Sequence, residues 1–244
     1  MASSGLFNFA LTNGSLIFEA FDRIQVDPET ITPRQMASAR VSLNLELETW
    51  SNAGFNFWKL TSGTINLVAG QATYTLPANL SVLTELWYSQ VDALGTGVNQ
   101  DRFLTPMTRT EYAAITNKQQ QGLPTRYWLQ MLVPQQFTVW EVPQAGQVAP
   151  NVVLNWYGLQ QIQDANLPGT ETPDIPYRAV DALCAKLTLR LCEKFGPKDP
   201  QARQQLMLEK KAIADEAWGN MARRDQEPGD MIIRPNVGIY GRLD

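Results

Sequence analysis

Read as apolar and polar positions, the chain changes period twice. Between residues 32 and 53, Met36, Leu43, Leu47 and Trp50 recur at heptad-like spacing, with Arg40 interrupting the stripe. Thr32 reads as an N-cap and Pro33 as the first helical residue, and Gly54 sits where a glycine would stop the helix. A shorter helix is predicted over residues 15–24, with Phe18 and Phe21 three apart on one face. "DPETITP" joins the two helices as a loop. Residues 1–14, "MASSGLFNFALTNG", show no clear period and read as an arm.

Beyond Gly54 the period falls to two. Thr64, Asn66 and Val68 alternate with Ile65, Leu67 and Ala69. "GQA" reads as a turn and "TYTLP" as a returning strand, ended by Pro77, which cannot donate to a ladder. "LSVLTELWYSQVDAL" is a further strand and "GTGVNQD" a loop. Thr108 and Glu111 form a capping-box pattern for a short helix reaching about residue 117. "TRYWLQML", "QFTVWEV" and "NVVLNWYG" follow as three more strands. Residues 57–173 are thus predicted to form an antiparallel β unit of about five or six strands with one short helix.

The helical period returns at residue 174, where Asp174 and Ile175-Pro176 mark a helix start. Val180, Leu183, Cys184, Leu187 and Leu191 make its apolar stripe, and Gly196-Pro197 ends it. Asp199-Pro200 opens another helix, with Leu206, Ile213, Ala217 and Trp218 as its apolar side, running to about residue 224. The predicted fold class is α+β. Residues 15–56 and 174–224 make a discontinuous helical bundle, 57–173 an inserted antiparallel β unit, and 225–244 an extended C-terminal tail.

Composition narrows the chemistry. The 244 residues suffice for a sizeable core, and hydrophobic and charged shares of 44% and 18% are those of a globular protein. The absence of histidine removes Ser-His-Asp and Cys-His nucleophile systems and every histidine metal ligand. Cys184 and Cys192 lie eight residues apart on one predicted helix, about 12 Å along its axis, too far to bridge. They read as small buried hydrophobes in a reducing cytosol. No apolar run approaches membrane-spanning length, and the first residues lack the basic region of a signal peptide, so a soluble protein is expected. The net charge of −4 argues against a broad nucleic-acid-gripping face.

No motif carries strong chemistry. "GTG" at 95–97 has no helix behind it and reads as a plain loop. Glu46 and Glu48, and Glu193 and Asp199, read as solvated carboxylates rather than acid/base pairs. Lys210-Lys211 and Arg223-Arg224 read as solvated helix positions. No catalytic residue, metal ligand or cofactor is expected. The aromatic residues say more. Trp58, Trp87, Tyr88, Tyr127, Trp128, Trp140, Trp156 and Tyr157 sit on predicted strands or at their starts, where they suit a β core. The adjacent pair Trp87-Tyr88 must send one ring to each face of its sheet, and outward aromatics suit an interface. The tail joins Met231, Ile232, Ile233, Val237, Ile239 and Tyr240 to Pro235 and Gly238, more apolar than a solvated tail, and suits an intermolecular tie.

Together these landmarks resemble the head-to-tail adaptors of short-tailed bacteriophages, the family of tail tubular protein A and the packaged-DNA stabilisation proteins. "FEAFDRIQVDPETITPRQMASARVSLNLELETWSNAGFNFWKL" is similar to that family's opening, with its Gly54-x-Asn56-x-Trp58 junction. "LTPMTRTEYAAITNKQQQGLPTRYWLQ" resembles its central segment and "IPYRAVDALCAKLTLRLCEKFG" its returning helix. "FTVWEVPQ" resembles its aromatic-proline strand end, with Glu141 where one proline is expected. The likeness spans about residues 16–225, leaving the arm and tail unmatched.

The resemblance implies a non-enzymatic virion component made in the bacterial cytoplasm. About twelve copies would form a closed ring beneath the portal protein, around DNA that passes without specific binding. The ring would link the capsid to tail nozzle or tail-fibre proteins and retain packaged DNA, with no membrane involved. A carbohydrate- or receptor-binding virion module using the aromatic β unit is the rival reading. A two-carboxylate glycosidase is a further one.

Overall fold

The computed structural model describes residues 9, 11–53, 57–90, 100–146, 148, 152–166 and 171–224. Gly54 and the whole of the tail lie outside the described residues. The helices are α1 (Asn13–Asp22), α2 (Pro33–Ala53), α3 (Arg109–Ala114), α4 (Val180–Phe195) and α5 (Pro200–Arg224). The strands are β1 (Leu60–Asn66), β2 (Thr73–Thr75), β3 (Leu80–Gln90), β4 (Gln100–Phe103), β5 (Thr105–Met107), β6 (Arg126–Gln130), β7 (Gln136–Trp140) and β8 (Val152–Gln160).

The helix starts follow from their caps. At α1 the Thr12 hydroxyl accepts the Ser15 N–H. At α2 the Gln35 side chain accepts the Thr32 N–H at 2.7 Å while the Thr32 hydroxyl accepts the Gln35 N–H. These are the reciprocal bonds that satisfy otherwise orphaned donors. The Asp199 carboxylate accepts the Ala202 N–H in the first turn of α5. A 3-10 turn at Tyr177–Ala179 leads into α4, which stops at Gly196. Gly196 has φ −61°, so the stop is an extended step into Pro197 rather than a left-handed cap.

Leu16 and Phe21 of α1, Leu43, Leu47 and Trp50 of α2, Leu183, Leu187 and Leu191 of α4, and Met221 of α5 form one buried helical core. The bundle is therefore discontinuous and the fold α+β. Two apolar positions differ from expectation. Phe18 is exposed while Phe21 is buried, and Ile213 is exposed while Ala214 is buried. In each case the apolar stripe rolls one position around the helix, because the neighbouring helices cover only part of the face.

The β residues make a second core. One sheet has the order β1-β8-β3-β4, the other β2-β7-β6-β5, and Leu86, Tyr88, Phe137, Leu154 and Trp156 fill the space between them. Among the described residues this is eight strands rather than five or six. The missed ones are short: β4 begins in the segment read as a loop and ends just past it, and β5 precedes α3. Nor do β1 and β2 form a hairpin. β1 pairs with β8 and β2 with β7. Alternation reveals a strand but not its partner, and here the turn itself bonds elsewhere. Gly70, at φ 78°, donates its N–H to the Pro143 carbonyl, and the Tyr74 hydroxyl donates to the Gln71 carbonyl at 2.9 Å. The link is thereby pinned as a crossing between sheets. One pair, β5 with β6, is parallel. The capping box at α3 is present, with Glu111 accepting the Thr108 N–H at 2.6 Å, but the helix ends at Ala114.

The chain passes between the two cores twice, and Asp174 fastens both passages. Its carboxylate accepts Lys59 Nζ at 2.5 Å from the outgoing chain and the Gln163 N–H at 3.0 Å from the returning one. Its carbonyl accepts the Trp58 indole N–H at 3.3 Å. Nearby, the Asn44 side chain clips the returning chain to α2, accepting the Ala165 N–H at 2.7 Å and donating to the Ala165 carbonyl. Asp174→Ala is expected to cost about 2 kcal/mol, because it leaves a largely buried ammonium and one N–H without their acceptor. Urea unfolding checks this, and an unchanged midpoint would overturn the role given to Asp174.

Candidate assembly surfaces

The helical body is braced from within by one carboxylate. Glu46 and Trp50 stand four apart on α2, hence on one face, and Glu46 is only 5% exposed. One Glu46 oxygen accepts the Trp50 indole N–H at 2.9 Å; the other pairs with the Arg190 guanidinium of α4. Arg190 also donates to the Thr49 hydroxyl at 3.1 Å. The expectation that Glu46 is solvated is therefore wrong, whereas Glu48 is exposed as expected. A carboxylate with both oxygens engaged in a fixed brace is poorly placed for acid/base work. The other carboxylate pair also dissolves, since Asp199 serves as the α5 cap.

Beside this brace lies an open groove of about 810 Å³ between α2, α4 and α5. Its floor is aromatic: the Trp50 and Trp218 rings lie 5.0 Å apart. Met207 and Leu208 of α5 form an apolar wall, and Leu208 is 64% exposed. Lys186, Arg190, Lys198, Arg203 and Lys211 line it against two carboxylates, Glu46 and Glu193, so an acidic chain carries a cationic groove. Lys186 is paired with Asp215 at 2.7 Å, whereas Lys198 and Lys211 have no ion pair among the described residues.

On the β body, alternation along β3 sends Tyr88 inward and Trp87 outward. Strand register sets Phe103 of β4 opposite Trp87. The Trp87 ring lies 5.8 Å from Phe103 and 4.8 Å from Tyr157 of β8. Phe103 is 63% exposed, so the three rings make an outward aromatic patch. A polar row continues it: Asn155 donates to the Ser89 hydroxyl at 2.8 Å, which donates to Asp101 at 2.6 Å. Of the expected interface pair, only Trp87 reaches the surface; Tyr88 supports it from the core. Phe103 escapes the sequence reading because its four-residue strand is too short to show a period. The other strand aromatics divide too. Tyr127 and Trp156 are buried, Trp128 stacks on Tyr112, and Trp140 lies under Arg126. The tail positions Met231, Ile232, Ile233, Pro235, Val237, Ile239 and Tyr240 lie outside the described residues.

A family model described as SU10 adaptor protein matches residues 16–234. The chain belongs to the SU10 adaptor protein family. The SU10 adaptors are structural proteins of the phage particle that connect portal and tail components. No curated protein matches the chain. Among the described residues of this SU10 adaptor, no helix is long and apolar enough to cross a membrane, and no group of three His, Cys, Asp or Glu side chains is placed to hold a metal ion.

A third exposed feature of the adaptor is the β6–β7 turn, where Met131, Leu132 and Val133 project, Val133 being 98% exposed. The two cysteines, by contrast, are buried and unpaired on α4. Burial among apolar helices pushes the Cys184 thiol from 9.0 up to about 11, against a weaker opposing pull from Arg23.

Two outcomes follow for the helical body. Glu46→Ala is expected to cost about 3 kcal/mol, since it strands Arg190 and the Trp50 N–H; the Glu46→Ala/Arg190→Met double variant should recover part of it, read by urea unfolding. For Cys184, a folded-state value above the unfolded one means stability that is complete below pH 9.0 and lost as pH rises toward about 11. Measured against Cys184→Ala, the native chain should lose roughly 2–3 kcal/mol of relative stability across that window. A pH-independent difference between the two would overturn the burial argument.

Proposed function

We propose that this protein is a ring-forming head-to-tail adaptor that sits beneath the portal, surrounds the DNA channel, and helps retain packaged DNA. About twelve copies close the ring. The helical body of residues 15–56 and 174–224 builds the ring and meets the portal, and the β body of residues 57–173 presents a platform to tail nozzle or tail-fibre proteins. The carrying observation is the separation of surfaces: a cationic apolar groove on the helical body and an aromatic patch on the β body, joined by a braced junction. A subunit that must contact copies of itself and unlike partners needs two such surfaces. The net charge of −4 suits a channel through which DNA slides, because like charge discourages adhesion to phosphate. Met231, Ile232, Ile233, Pro235, Val237, Ile239 and Tyr240 act as an assembly tie, and Trp87, with Tyr88 beneath it, as a contact for another protein.

A second reading, a carbohydrate- or receptor-binding virion module, draws on the exposed rings beside the Asn155–Ser89–Asp101 row. A glycan array separates the two: saturable glycan binding abolished by Trp87→Ala would favour this module.

Electron microscopy of the purified protein, alone and with portal-bearing heads, is the direct test. Rings seated under the portal are expected, and a monomer that never joins the head would overturn the adaptor reading. Truncation after Glu227 is expected to keep the melting temperature while abolishing assembly. Normal virions from the truncated protein would remove the tail from the mechanism.

A further inference from the structure

We infer that the groove between α2, α4 and α5 is the receptor for residues 231–239 of a neighbouring copy. The inference rests on the ring reading above and names the contact that closes the ring. Three observations support the match. The first is pattern. Written as an extended segment, "MIIRPNVGI" places Met231, Ile233, Pro235, Val237 and Ile239 on one face and Ile232, Arg234, Asn236 and Gly238 on the other. Such a segment suits a groove with an apolar floor and a wet mouth, and Trp50, Trp218, Met207 and Leu208 supply that floor and wall.

The second is length. Eight extended steps from Met231 to Ile239 span about 26 Å. The groove wall follows α5 from Pro200 to Trp218, eighteen helical steps or about 27 Å. The extended segment and the α5 wall are thus of similar length.

The third is charge. Asp225, Glu227 and Asp230 crowd the six residues that lead from α5 into the segment, while the segment itself carries one charge, Arg234, on the face away from the floor. The groove has the opposite bias, and Lys198 and Lys211 on its rim have no ion pair among the described residues. One groove and one segment per copy give a head-to-tail contact, which closes on itself when the rotation between copies allows a ring.

The test joins the two partners covalently. The full chain carrying Leu208→Cys and Ile233→Cys is oxidised and run on a non-reducing gel, with the same sample imaged for rings. Native Cys184 and Cys192 are buried and stay out of the reaction. A ladder of linked copies is expected, collapsing under reductant and falling at least tenfold when Lys198→Glu and Lys211→Glu are added. Val133→Cys with Ile233→Cys should give no ladder. A linked monomer alone would overturn the inference, showing the segment in its own groove. Rings without cross-links would also overturn it, yet leave the ring reading standing; neither rings nor cross-links would remove both. Leu208→Arg guards against cysteine artefacts: it should keep the melting temperature and lose the rings, and undiminished rings would count against the groove.

Discussion

The arrangement depends on the point where the chain leaves the helices and comes back. Two neighbouring passages must be held together, or the α2 and α4 faces could not meet across more than a hundred intervening residues. Asp174 does this with one side chain and one carbonyl, gathering Lys59, Trp58 and Gln163 into a single node. Asn44 adds a second clip by binding both backbone groups of Ala165. Polar groups at such a site are engaged by protein rather than by water, so each bond also removes an unsatisfied group. The α2–α4 brace through Glu46 and Arg190 then becomes possible, because the node has already set the two helices side by side.

The two bodies are stabilised differently. The helical one relies on an apolar stripe along each helix, leucine-rich on α2 and α4, and on the ionic contact between Glu46 and Arg190. Replacing such a contact by apolar groups is often tolerable, but removing half of it is not. The β body relies on two facing sheets with aromatics between them, and its outer face carries what the core did not need. The same alternation that buries Tyr88 obliges Trp87 to face out. The exposed patch is thus a by-product of strand geometry that Phe103, opposite Trp87, and Tyr157, diagonal to it, turn into a contiguous surface.

Much of this was legible in the sequence. Thr32-Pro33, Thr108 with Glu111, and Asp199-Pro200 mark real helix starts, because caps are local chemistry. The stripe from Leu183 to Leu191 is buried for the same reason that a 3.6 period exists. What stayed hidden was non-local. The partner of a strand cannot be read from its own alternation, so β1 and β2 looked like a hairpin. Strands of three or four residues, such as β4 and β5, are too short to show a period. Glu46 looked solvated because its charge partner lies 144 residues away on α4. Asp174 looked like a helix-start residue, and nothing nearby in sequence announces that it ties Lys59.

The discontinuity of the helical body also sets an order of events during synthesis. A ribosome makes α1 and α2 first, yet their packing partner α4 emerges only after the strands of the β body have been made. The β body can therefore close while the apolar stripe of α2 still lacks its cover, and helix docking becomes the last step. Loop-closure entropy for that docking is then far smaller than the residue count suggests, because a folded β body, fastened at one junction, has already brought the two ends together.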